Sequence, residues 1–287
     1  MPVRDRHEGA LPARIRPNCI IGPAQSALTV FLEHDIEDTP MLPDLRIWLN
    51  HFEYHAQHPR CTPEGLPDVL TGSERALIGD SLARFQLAEY SRGQTFLSTA
   101  QRLALRRDMP ELTRIMELLV REERRHADLL REFMTDHCMR VRNHAPTDLA
   151  CRAIRRLAGF ELYLHVLVTA ELIGSVYYRA LETATACQRL KILCRTRIAD
   201  ELVHIGFESE LLRELRERRS AVSRVFMRIA HRAFFSGVAL TVWMSHHSIL
   251  RGAGYDAGTF LRVCRAQYAF YLELPSPAKG EVQPTPS

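Results

Sequence analysis

Glu122-Glu-Arg-Arg-His126 and Asp200-Glu-Leu-Val-His204 are the two stretches on which the reading of this chain turns. Each contains a Glu followed three residues later by a His, Glu123 with His126 and Glu201 with His204, and that spacing puts both side chains on one helix face. A lone glutamate precedes each motif in a helical stretch, Glu89 before the first and Glu171 before the second. In Leu167-Val-Thr-Ala-Glu171-Leu-Ile-Gly174 the glutamate points where a core residue belongs. Composition alone yields about one Glu-x-x-His pair, and the bland reading is charge on amphipathic helix surfaces. The arrangement as a whole argues otherwise. Both motifs fall mid-helix, each follows its upstream Glu at similar spacing, and a buried carboxylate without a partner costs several kcal/mol. Four such faces turned inward bring four carboxylates and two imidazoles to one level of a helical bundle. That donor set suits Fe or Mn better than a structural zinc site.

The helices expected around these motifs allow the convergence. Thr71-Gly-Ser-Glu74 reads as a capping box, starting a helix to about Arg107 with Leu82, Phe85, Glu89 and Phe96 on one stripe. Asp108-Met109-Pro110 ends it, and a second helix runs from about Glu111 to Asp136 with Met116, Leu119, Glu123, His126 and Leu130 aligned. After a polar break at residues 143–148, a third helix extends to about Thr185, bent near Gly159, with Leu164, Leu167, Glu171 and Tyr178 on one face. A fourth covers about Gln188 to Arg218, and a fifth and sixth cover about Ala221 to Leu250 and Ala257 to Tyr271. At 1.5 Å per residue, Glu89 and Glu123 lie roughly 26 and roughly 20 Å from their shared turn, and Glu171 and Glu201 about 22 and about 20 Å from theirs. Each pair closes to within about a turn, as in a duplicated helical hairpin. Almost no strand-like alternation occurs, so the expected fold is all-α: a bundle over 71–274, an N-terminal arm over 1–70 packing on it, and a disordered tail over 275–287.

Composition narrows the alternatives. The 287 residues are 46% hydrophobic and 25% charged with a net charge of +4, enough to bury a large core. Nearly all the positive charge is Arg, since the only lysines are Lys191 and Lys279, and it is interspersed with acids along helices. No compact basic run interleaves with aromatics, so no nucleic-acid partner is expected. Seven cysteines without a CxxC pair suit a reducing compartment and exclude a fused four-cysteine redox or zinc module. No signal-peptide pattern follows the N-terminal arginines, and the most apolar run, Phe234 to Met244, is shorter than the ~20 residues of a membrane span. A cytoplasmic protein without a membrane partner is expected.

The six positions Glu89, Glu123, His126, Glu171, Glu201 and His204 resemble the ligand set of the ferritin-like non-haem di-iron carboxylate superfamily. The (D/E)-E-x-R-H form of the first motif, and its counterpart at 200–204, is similar to the paired elements of soluble acyl carrier protein desaturases and their oxygenase relatives. The resemblance covers about residues 71 to 215. It implies a four-helix bundle with additional C-terminal helices and a centre of two Fe ions, or Mn/Fe, using O2 as co-substrate. It also implies Glu123 and Glu171 as bridges, with Glu89/His126 and Glu201/His204 terminal. Asp200 would accept from His126 and Glu122 from His204, with Arg125 anchoring that network.

The activity so implied is hydroxylation, desaturation or a related oxidation of an organic or carrier-bound substrate. A separate electron donor would be needed, and a homodimer is compatible. Ferroxidase or iron handling, and a non-catalytic metal-binding interaction protein, are the alternatives. Two departures from the family stand out: Val203 replaces the matching arginine in the second motif, and Arg197 lies on the ligand face, one turn before Glu201. Arg197 either binds a substrate carboxylate or phosphate or pairs with a neighbouring acid such as Glu208 or Glu89, and the pairing is preferred. Tyr90, Tyr177 and Tyr178 read as core residues, Cys194 as packing, Glu161 and His165 as a local pair, and His246-His247 as no metal site.

Overall fold

The computed structural model describes residues 45–60, 67–90, 94–142 and 159–273, with backbone alone at 88–90 and 94–95. Its helices are α1 (Leu45–Gln57), α2 (Gly72–Tyr90), α3 (Gln94–Arg107), α4 (Pro110–Asp136), α5 (Phe160–Ala184), α6 (Gln188–Glu217), α7 (Ala221–Gly252) and α8 (Ala257–Leu272). No strand occurs among the described residues, so the protein is all-α there. Residues 1–44, most of the expected arm, and the tail from 274 lie outside the described residues, as do 61–66 and the break at 143–158.

Local sequence explains the helix ends. The capping box forms: Glu74 accepts from Thr71 N at 3.0 Å and Thr71 Oγ1 accepts from Glu74 N at 3.2 Å. The second Glu74 oxygen accepts from Ala186 N at 2.6 Å, tying the start of α2 to the α5–α6 turn. Asp108 adopts φ 54°, and Met109 N reaches back to Ala104 O at 3.0 Å, a left-handed closure that satisfies an orphan carbonyl of α3. Pro110 then opens α4, where its missing N–H has no cost. The helix expected from Thr71 to Arg107 is described as α2 and α3, Gly72–Tyr90 and Gln94–Arg107, with residues 91–93 outside the described residues.

Packing follows hydrophobic pattern. α5 is apolar nearly all round and buried along most of its length, the position such a helix requires. Its most extensive partner is α6, and it also meets α3, α7 and α8, while α4 packs on α1, α2, α3 and α6. Leu112, Ile115, Met116, Leu119 and Phe133 of α4 and Leu164, Leu172 and Val176 of α5 are essentially inaccessible, each contributing ~1.5–3 kcal/mol by burial. Within the expected arm, Leu45–Gln57 forms α1, which seats Trp48 and Phe52 in the same core.

The expectation about apolar length needs correction. Two helices, Phe160–Ala184 and Ala221–Gly252, are long and apolar enough to cross a membrane by length and composition. The apolar character of α7 is spread over its whole length, not confined to 234–244. The two differ in setting: 78% of the apolar window is buried inside the protein for α5 and 17% for α7.

A buried polar layer joins α5, α6 and α7, and it also corrects the local pair expected between Glu161 and His165. Glu161 instead accepts two bonds from Arg219, at 2.6 and 2.9 Å, because it sits at the partly exposed rim while His165 faces inward. Arg216 Nη2 lies 3.3 Å from His165 Nδ1 and 3.0 Å from His231 Nδ1, and Thr169 Oγ1 is 2.9 Å from His231 Nε2. Burial first, then the neighbouring imidazole and Arg216, push His165 down to about 2. Burial and Arg216 push His231 down to about 3. Both imidazoles are therefore neutral when folded but protonate in the unfolded chain below its ordinary value near 6.5. Stability is full above that value and falls as pH drops from about 6.5 towards 3, by up to about 1.4 kcal/mol per pH unit for each histidine. A His165→Phe, His231→Phe variant should flatten this limb in urea titrations between pH 6.5 and 4.5. An unchanged pH slope would contradict it.

Candidate metal centre

The site is built where α4, α5 and α6 present their interrupted apolar stripes to each other. On α6, Arg197, Glu201, His204 and Glu208 recur at alternating steps of four and three residues, which keeps them on one face. All four are buried, as are Glu123 and His126 of α4 and Glu171 of α5. Ligating atoms of Glu123, Glu171, Glu201 and His204 all lie within 4.8 Å of one another. His204 Nδ1 is 3.2 Å from Glu123 Oε1, 3.8 Å from Glu171 Oε1 and 3.9 Å from Glu201 Oε2. Of the six expected ligand positions, five have described side chains: four converge here, and His126 lies beside them with Nδ1 4.0 Å from Glu123 Oε1. Glu89 lies in α2, but its side chain and that of Tyr90 are outside the described residues.

Around the centre, the outer nitrogens of both imidazoles are held. His126 Nε2 donates to Asp200 Oδ2 at 2.7 Å, and His204 Nε2 donates to Glu122 Oε2 at 3.2 Å. Such contacts fix the tautomer that aims Nδ1 inward. Asp200 also pairs with Arg60 and lies 3.6 Å from Arg125, which is 3.5 Å from Glu122 and bonds Arg60 O at 2.9 Å. Burial raises the Asp200 carboxyl, but the His126 bond and the charges around it prevail and hold it down to about 2.

Arg197 pairs with neighbouring acids, as preferred from sequence, and the described ones are Glu123 and Glu201, while the side chain of Glu89 lies outside the described residues. Its Nη1 and Nη2 donate to Glu123 Oε1 and Oε2 at 2.9 and 2.8 Å, a two-pronged pair. Nη2 also lies 2.5 Å from Glu201 Oε1, and Nη1 contacts His126 Nδ1. Glu208 lies further along the α6 stripe, fully buried. Burial pushes Glu208 and Glu201 well above the ordinary carboxylate range.

This donor set fits a divalent cation. Among the described residues, the buried carboxylates of Glu123, Glu171, Glu201 and Glu208 are accompanied by one buried guanidinium, that of Arg197, and Glu201 Oε2, on a residue 2% exposed, has no hydrogen-bond partner. An ion between Glu123, Glu171, Glu201 and His204 would offset this negative charge. Oxygen-rich ligation with one imidazole suits Fe or Mn.

Two parts of the site escape a reading of the sequence. One is Glu208, whose signal is available in its spacing of four from His204. The other is α1: Phe52 stacks on His204 at 5.8 Å between centroids, and His55 joins Glu122 and Asp200 in a second acidic–imidazole cluster. No spacing rule links α1 to helices so far along the chain. Tyr177 and Tyr178 are core residues, Tyr177 bonding Ser81 at 3.0 Å and Tyr178 lying under Arg197 at 5.8 Å. A narrow groove lined by His126, Leu129, Leu130, Tyr178, Leu193 and Arg197 reaches this side of the centre.

Comparison with family models, with curated proteins and with solved structures found no match. The chemistry therefore rests on the geometry. Removing one partner of a buried ion pair costs about 3–5 kcal/mol, so metal-free Arg197→Met protein should lose roughly that much in urea unfolding. A loss below about 1 kcal/mol, the scale of an exposed pair, would show that the guanidinium is not the counter-charge of Glu123 and Glu201.

Proposed function

We propose that this chain is a metal-dependent oxidoreductase of the ferritin-like type, using O2 to oxidise an organic substrate. In this reading α2, α4, α5 and α6 are the four bundle helices, and α1, α3, α7 and α8 are additions. The observation that carries it is the convergence of Glu123, Glu171, Glu201 and His204 in a fully buried position, with each motif imidazole held from behind by an acid. A structural ion would be served by fewer carboxylates and by thiolates or several imidazoles. Carboxylate-rich ligation with His is the setting in which Fe or Mn changes oxidation state.

The roles of the protein follow from the site. Glu123, Glu171, Glu201 and His204 would hold the ion, which when bound supplies the redox chemistry. Asp200 and Glu122 orient the imidazoles, and Arg60 and Arg125 hold those acids. Phe52 closes the His204 side against water. The groove beside His126 and Tyr178 gives a small molecule such as O2 the nearest approach. A larger substrate requires this groove to widen between α4 and α6. With no cysteine-rich redox module in the chain, electrons come from a separate donor.

Protein loaded anaerobically with Fe(II) should retain iron through desalting, and a Glu171→Gln, Glu201→Gln variant should lose it. With a chemical reductant, O2 uptake by the loaded protein should rise when the correct small organic substrate is added. Loading unaffected by both glutamates would remove the metal centre, while iron oxidation without any substrate stimulation across a broad screen would favour iron handling.

A further inference from the structure

We infer that Arg197 is a built-in cation standing in one of the two metal positions that the duplicated motif suggests, so that the centre takes one divalent ion. The inference rests on the proposed metal centre and deepens it. The duplicated Glu-x-x-His pattern offers two sets of donors, one around His126 and one around His204. The geometry treats them differently. Around His204 the ligand atoms of three glutamates converge with Nδ1, and among the described residues Glu201 Oε2 has no hydrogen-bond partner. Around His126 the donors converge on a guanidinium: both Glu123 oxygens, Glu201 Oε1 and His126 Nδ1 all meet Arg197.

Those are the atoms that would otherwise bind the ion on the His126 side. Nδ1 of His126 accepts from Arg197, since its Nε2 proton is committed to Asp200. An imidazole lone pair engaged by a guanidinium N–H is not available to a metal. The guanidinium is also fixed: it is 3% exposed, its fork spans Glu123, and the Tyr178 ring lies against it. Arginine keeps its charge at any working pH, so it does not leave by deprotonation. A second divalent ion would have to displace a buried cation from three partners.

The sequence signal is the same one that places Arg197 on the stripe of Glu201 and His204.

The test is metal content together with magnetic state. Full-length protein is loaded with excess Mn(II), desalted, and measured by elemental analysis and by electron paramagnetic resonance. The wild type should hold about one Mn per chain with the signal of isolated ions. Arg197→Ala should hold about two, with a spin-coupled signal, and Arg197→Lys, which keeps the charge, should stay near one. About two ions in the wild type, or about one in Arg197→Ala, would overturn the inference while leaving the metal centre standing. Wild type with no ion, or with an ion indifferent to Glu171→Gln and His204→Ala, would remove the metal centre and this inference with it. If Arg197→Ala does not fold, the wild-type count and its signal still decide between one ion and two.

Discussion

The arrangement at the centre of this protein depends on compensating negative charge that has been taken out of water. Glu123, Glu171, Glu201 and Glu208 lie where α4, α5 and α6 are otherwise packed with Leu, Ile, Val and aromatic side chains. An ionised carboxylate in that setting is costly, and it persists only if paired, protonated or bound to metal. The fold pairs Glu123 and Glu201 with Arg197, burial favours the protonated form of Glu208, and donors of Glu123, Glu171, Glu201 and His204 converge within coordination reach. Much of the surrounding structure serves these groups. Asp200 and Glu122 hold the imidazoles, Arg60 and Arg125 hold the acids, and α1 lays Phe52 over His204.

The two halves of the motif are alike in sequence and unlike in their surroundings: Arg197 meets His126 Nδ1, while ligand atoms of three glutamates gather around His204 Nδ1. Glu123-Arg-Arg-His126 and Glu201-Leu-Val-His204 offer the same donors, yet a single substitution-sized difference, an arginine one turn before Glu201, assigns the first half to a guanidinium. Guanidinium and metal ion are alternatives at such a place, because both are cations that accept the planar approach of carboxylate oxygens. They differ in reactivity: arginine neutralises charge and orients oxygens but exchanges no electrons. A centre of this kind would change oxidation state at one ion beside a fixed positive charge, and would depend the more on electrons supplied from outside.

Local periodicity makes most of this legible in the amino-acid sequence. The all-α class, the start of α4 at Pro110, the capping box at Thr71–Glu74, the extents of α6 to α8 to within a few residues, and the inward face of Glu171 all follow from patterns inside single helices. What depends on contacts between distant segments is not legible there. The pairing of Arg197 with Glu123 joins residues on different helices, whereas sequence spacing points to Glu208 and Glu89. Glu161 and His165 have the spacing of a helical pair, yet burial sends His165 to His231 and leaves Glu161 to Arg219. The exposed apolar length of α7 exceeds its most apolar stretch, because moderately apolar residues on either side extend it.

The central claim is a buried carboxylate–histidine metal centre in which Arg197 fills the second cation position. Anomalous scattering from crystals of the full-length protein grown with Mn(II) tests it most directly. The account predicts a single peak within coordination distance of Glu123, Glu171, Glu201 and His204, with the guanidinium of Arg197 still forked across Glu123. Two peaks with Arg197 swung away, or no peak among these residues, would contradict it.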